Sequence, residues 1–191
     1  MTVTRIDDMT ALVVVDLQNA VRVFPYTDPI TEVVANAAAL AREFRARGLP
    51  VVLTEVDPRG GSYGRADAPA SLAQLKDKLP ADWNELMAEL EPADDDLVVV
   101  KRAWGAFTGT PLAEFLNKRG VTQVVVCGVA TAYGVESTAR HASELGFNVT
   151  LPTDAMTDMS APAQENSIER VFPRLGECGT TRDVLDRLGD R

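Results

Sequence analysis

Asp16, Lys101 and the glycine turn that starts at Gly128 each come directly after a valine-rich run. Together they offer a carboxylate, an ammonium group and a cluster of backbone N–H groups. A carboxylate can give or take a proton, and an ammonium nearby lowers its pKa. Taken singly, Asp16 reads equally well as a loop-binding carboxylate and Lys101 as a surface lysine. Their convergence raises both, because the strands of a parallel sheet end on one side. Other nucleophile chemistry is poorly provided for. Ser137 and Thr138 have no histidine in reach for a relay, since the one histidine, His141, falls inside a helical stretch.

The elements that must position these groups follow from the pattern of apolar residues. Ala11–Asp16, Pro50–Val56, Asp96–Lys101, Thr122–Cys127 and Phe147–Leu151 read as strands. Their valines run continuously rather than in alternation, as expected of strands covered on both faces. Helices fall between them. Asp28–Pro29 opens one that runs to about Arg47 and stops at Gly48, with Val33, Val34, Ala37, Leu40, Ala41 and Phe44 as its inner stripe. Another runs from Pro111 to Gly120, a third from about Gly134 to Leu145, and Thr180–Asp183 resembles the cap of a last one. Strands alternating with helices predict an α/β, doubly wound, three-layer sandwich with a mostly parallel sheet of five to six strands, in one domain over residues 1–191. Cys178 falls in a short edge strand or a turn. The acidic run Asp94–Asp96 reads as a solvated turn.

The stretch from Asp57 to Pro80 breaks the alternation. It carries Gly60, Gly61 and Gly64 with Arg59, Tyr63 and Arg65, and it follows the C-terminal end of the second strand. It is therefore expected to overhang the crevice where open α/β sheets bind ligands. Its glycines have no phosphate-cradling spacing.

A formal net charge of −9 argues against nucleic acid or an anionic membrane as partner. No apolar run approaches the length of a membrane span, and Met1–Thr10 carries no secretory pattern, so a cytoplasmic protein is expected. Cys127 and Cys178 fit neither a metal spacing nor a disulfide framework.

Three motifs sharpen this reading. Asp16-Leu17-Gln18-Asn19 follows the first strand. Lys101-Arg102-Ala103-Trp104-Gly105-Ala106-Phe107-Thr108-Gly109-Thr110-Pro111-Leu112 follows the third, and Gly128-Val129-Ala130-Thr131 follows the fourth. In this order they resemble the aspartate, lysine and active-site-turn motifs of the isochorismatase-like hydrolases, also called cysteine hydrolases. The resemblance implies a cis peptide between Val129 and Ala130, a homodimer or homotetramer, and Asp16 and Lys101 as catalytic residues. Most members carry a nucleophilic cysteine six residues after the first glycine of the turn, and here that place is Gly134. Cysteine-type amide hydrolysis, in which the thiolate attacks a carbonyl, is accordingly disfavoured.

One branch of that family, the isochorismatases, has glycine at this place and cleaves a vinyl ether. The chemistry needs an acid that protonates the enol carbon, and it needs no sulfur. Asp16 would be the acid, Lys101 its positioning partner, and Gly134 would leave room for a ring. Hydrolysis of another small substrate by Asp16-activated water and a non-catalytic binding or scaffold role stay open beside it. Gln18, Phe24, Arg65, Trp104, Phe107 and Tyr133 are the candidate substrate contacts, for a small carboxylic acid. The chain departs from the isochorismatase pattern at Ala130 and Ala132, where those enzymes have tyrosine and histidine. Ala20 and Val21 stand where an aromatic is usual. Nicotinamidase-like relatives bind a metal near the second strand, but Leu53-Thr54-Glu55-Val56-Asp57 has no histidine, so neither a metal nor another cofactor is expected.

Overall fold

The computed structural model describes residues 2–57 and 79–189. Seven strands form one parallel sheet: β1 (Thr10–Val15), β2 (Val51–Val56), β3 (Leu97–Lys101), β4 (Gln123–Val129), β5 (Asn148–Pro152), β6 (Met156–Thr157) and β7 (Glu177–Gly179). Their spatial order is β3-β2-β1-β4-β5-β7, with β6 pairing to the end of β4. Against the expected five to six strands, the two beyond the five placed by the sequence are both short. β7 carries Cys178 and makes the sheet edge beside β5.

Burial explains the valine runs. Every residue of β1 and of β4 is buried, because both lie in the middle of the sheet with helices on each face. Leu12 and Val14 join Leu40 and Phe44 on one side, under α1 (Ile30–Ala46) and α5 (Thr181–Gly189). Val13 and Val126 join Leu116, Ala139 and Phe172 on the other, under α2 (Leu112–Lys118) and α3 (Glu136–Glu144). Each apolar side chain taken from water in this way contributes about 1.5–3 kcal/mol before entropy is counted. Edge strand β3 is different: Val98 and Val100 are exposed while Val99 and Lys101 are buried.

The helix stops work as the glycines suggest. At the end of α1, Gly48 stands at φ +67, its N–H donates to Arg45 O, and the Leu49 N–H donates to Phe44 O. This Schellman arrangement satisfies carbonyls that the helix leaves open. The third helix begins differently from expectation, since Thr131–Val135 is a π-helical turn and α3 proper starts at Glu136. Among the described residues, one α-helix escaped the sequence reading, the short α4 (Ala161–Asn166), capped by the Ser160 hydroxyl. Asp96 also departs from its expected role. Its carboxylate is 2% exposed and accepts from Arg45 Nε at 3.0 Å and Nη2 at 2.7 Å, tying α1 to the start of β3.

The chain runs outward from β1 through β2 to β3, then crosses back to place β4 on the other side of β1. β1 and β4 therefore flank the switch point of the sheet, and the crevice outside their C-terminal ends is where such folds bind ligands.

Candidate active site

Asp16 is the first residue beyond β1, with its backbone at φ +51 in a region that few non-glycine residues occupy. Aspartate tolerates that conformation better than most, and surrounding contacts hold it here. The Asp16 N–H donates to Thr54 Oγ1 at 3.1 Å, and the same hydroxyl donates to Asp16 Oδ1 at 2.6 Å. The Gln18 N–H donates to the Asp16 carbonyl at 2.9 Å, closing a tight turn. Thr54 lies on β2, so the neighbouring strand fixes the carboxyl.

The other carboxyl oxygen, Oδ2, lies 2.7 Å from Lys101 Nζ at the end of β3. The lysine side chain is only 3% exposed and the aspartate side chain 15%, so this pair is open to the crevice mainly through the acid. Lys101 Nζ also donates to the carbonyls of Trp104 at 2.8 Å and Ala103 at 3.2 Å. An ammonium has three protons to donate, and these three acceptors account for all of them. Burial pushes the Asp16 carboxyl above its ordinary value; Lys101, by its charge and hydrogen bond, and the Thr54 hydroxyl pull it back without cancelling that effect.

β4 brings the turn alongside. Gly128 pairs with Val15 at φ +111, and a Cβ there would stand 2.1 Å from the Val15 carbonyl oxygen, so only glycine fits against the end of β1. The Val129–Ala130 peptide is cis. Within the π-turn, the Ala130 carbonyl accepts from the N–H groups of Tyr133 at 3.1 Å and Val135 at 3.2 Å. A Cβ on Gly134 would lie 3.5 Å from Asp16 Oδ2, so this position directly faces the acid. It would also meet Val15 Cγ1 at 2.9 Å and the Val129 carbonyl oxygen at 3.0 Å. The space along that Cβ direction is therefore taken by Val15, which corrects the expectation of room for a ring there.

Asp158, just beyond β6, is a buried part of the same edge that the sequence did not single out. Its Oδ2 accepts the Ala132 N–H at 2.8 Å and its Oδ1 the Ser160 N–H at 3.1 Å, while its carbonyl accepts the Thr27 N–H at 2.8 Å. That last bond ties the turn to the segment carrying Tyr26. Burial, with the charges of Asp158 and Asp16, pushes the Tyr26 phenol upward, so Tyr26 stays an O–H donor at neutral pH. Phe24 packs edge-to-face against Tyr26 at 6.3 Å between ring centroids. The only sequence signal for Tyr26 is an aromatic ten residues past Asp16.

The remaining candidates divide. Trp104 and Tyr133, 49% and 43% exposed, meet edge-to-face with centroids 5.0 Å apart, on the loop that holds Lys101 and on the turn before Gly134. Phe107 does not line the crevice: it is buried in the core, stacked on Phe147 at 6.0 Å and tilted on His141 at 5.5 Å. Gln18 is also spent within the fold, because its Oε1 accepts the Val56 N–H at 3.0 Å and its Nε2 donates to Asn84 O at 2.6 Å. Arg65, with Arg59 and nearly all of the expected overhanging loop, lies outside the described residues. Arg102 pairs with the buried carboxylate of Asp57 at 2.7 Å. Cys127 faces the core, and burial pushes its thiol up to about 12. Among the described residues, no three His, Cys, Asp or Glu side chains come together as metal ligands. Nor is any helix there long and apolar enough to cross a membrane.

Fold and site together define a doubly wound α/β protein with a carboxylate–ammonium pair at the switch point of its sheet. Residues 10–183 match the isochorismatase domain. The chain is 42% identical over 185 residues to YecD, an uncharacterised isochorismatase family protein of Escherichia coli O157:H7, covering 94% of this chain and 96% of that one. The structure of an isochorismatase family protein from Burkholderia thailandensis superposes with a TM-score of 0.89 at 38% identity, over 97% of this chain and 98% of the other. An isochorismatase of Bacillus subtilis is 30% identical over 166 residues, which cover 84% of this chain and 51% of that enzyme. The chain belongs to the isochorismatase family of hydrolases.

Proposed function

We propose that this hydrolase cleaves the vinyl ether of a small carboxylic acid such as isochorismate, with Asp16 as general acid. The observation that carries the reading is the Asp16 carboxyl itself, held towards its protonated form beside a turn that lacks a sulfur nucleophile. Protonation of the terminal enol carbon converts the C=C–O unit into an oxocarbenium ion. Water adds to that cation and loses a proton, and the resulting hemiketal collapses to pyruvate and the ring alcohol. The atoms balance with one water consumed.

Lys101 has its three donors engaged, so in this reading it orients Asp16 and offsets the charge left after proton transfer. Trp104 and Tyr133 form an aromatic rim suited to a flat ring, and the Tyr26 O–H supplies a donor. Val129, Ala130 and Gly134 shape the floor opposite Asp16, and Arg65 is the proposed partner of the substrate carboxylate. The same reading takes the protein as a cytoplasmic homodimer or homotetramer.

The test is pyruvate release from isochorismate by the purified protein, with Asp16→Asn as control. Wild-type release that falls at least about 100-fold in the variant is expected for loss of a general acid. The acid must be protonated to act, so kcat/KM should hold below the raised Asp16 pKa and fall as pH climbs through it. Absence of pyruvate, or an unchanged rate in Asp16→Asn, removes this reading.

A further inference from the structure

Lys101 can orient Asp16 only while the carbonyls of Ala103 and Trp104 stay where they are, and these belong to an irregular loop after an edge strand. What fixes that loop lies on α3. The fully buried hydroxyl of Thr138 accepts the Ala106 N–H at 3.0 Å and donates to the Gly134 carbonyl at 2.7 Å. One residue earlier, Gly105 lies flat on the same helix, where a Cβ would come within 3.3 Å of the Ser137 carbonyl carbon and oxygen. The lysine loop thus meets the nucleophile-less turn at two places, the edge-to-face contact of Trp104 with Tyr133 and the hydrogen-bonded hydroxyl of Thr138.

We propose that Thr138 is a positioning residue for the Asp16–Lys101 pair, its hydroxyl locking the carbonyl clamp on Lys101 to the turn at Gly134. A mere core threonine would satisfy its hydroxyl on its own helix and stop there; Thr138 also takes a donor from a segment more than thirty residues away. Losing that oxygen removes the anchor of the Ala106 N–H, loosens the clamp and lets Lys101 Nζ draw back from Asp16 Oδ2. The lysine then opposes the effect of burial less well, and the carboxyl holds its proton more tightly. The proposal rests on Asp16 acting as an acid for its catalytic meaning, but its physical content does not depend on the substrate.

The experiment follows the Asp16 carboxyl carbon by NMR through a pH titration of the full chain labelled with 13C-aspartate, assigned with Asp16→Asn. Thr138→Val removes the oxygen and keeps the shape. It is expected to raise the Asp16 midpoint by about half a pH unit or more, roughly a threefold tighter hold on the proton. Amide exchange at Ala106 should quicken in the same variant. Thr138→Ser keeps the oxygen and should return both towards wild type. An Asp16 midpoint unmoved in Thr138→Val, with only the melting temperature lowered, overturns the proposal. So does an equal shift in Thr138→Ser, which would assign the effect to the lost methyl group. If the valine protein does not fold, Thr138→Ala is read in the same way, and failure of both to fold makes Thr138 a folding residue and overturns it too. None of these outcomes uses pyruvate, so they stand apart from the fate of the vinyl-ether reading.

Discussion

At the scale of single residues, the notable feature is how completely Asp16 and Lys101 are committed to each other and to nearby backbone. Thr54 holds one carboxyl oxygen, Lys101 the other, and two carbonyls take the rest of the ammonium. Gly134 belongs to the same arrangement because its missing Cβ is matched by Val15, which has closed in on the place. Restoring the cysteine usual in relatives is therefore a steric insertion as well as a chemical one. Gly134→Cys is expected to lower stability by about 1–3 kcal/mol in urea unfolding, the usual cost of overpacking a filled site. Added Val15→Ala should cost less in that background than in wild type, since the two side chains contend for one space. An equal cost in both backgrounds would mean that the crowding relaxes elsewhere.

At the scale of elements, three strand ends do the positioning, and two ion pairs, each with a buried partner, tie elements to one another. The Asp16–Lys101 pair spans β1 and β3 across the end of β2. The Arg45–Asp96 pair joins α1 to the start of β3, where Arg45 also donates to Leu90 O at 3.0 Å. Removing one partner of a buried pair leaves a stranded charge. Asp96→Ala is expected to cost about 2–3 kcal/mol by chemical denaturation, near the low end for such losses because Arg45 still reaches solvent. A change below about 0.5 kcal/mol would show the pair to be as weak as an exposed one. Sequence reading took Asp96 for a solvated turn, because nothing in three consecutive aspartates says which one lies under an arginine on a distant helix.

At the scale of the whole molecule, both core clusters share the one sheet, so neither face can unfold and leave the other intact. One cooperative transition is expected, with circular dichroism and tryptophan fluorescence giving the same midpoint. Separate midpoints would contradict a single domain. The α/β order, the central strands, the helix stops, the strand-end places of Asp16 and Lys101 and the place of Gly134 beyond the turn after the fourth strand were all legible in the chain. These depend on local hydrophobic period, on glycine at positive φ and on the rule that parallel strands end together. The sequence could not show that Phe107 turns into the core while Trp104, three residues earlier, stays exposed, since both are aromatics on one irregular loop. Nor could it give Gln18 its two backbone partners, or bring Asp158 and Tyr26 to the site, because those contacts form between segments far apart in the chain. Thr138 shows the division most plainly. As a residue type without a histidine relay it promised no chemistry, and only packing α3 against the lysine loop gave its hydroxyl two segments to join. Local propensities select elements, whereas a side chain's partners are decided by which surfaces the buried sheet forces into contact.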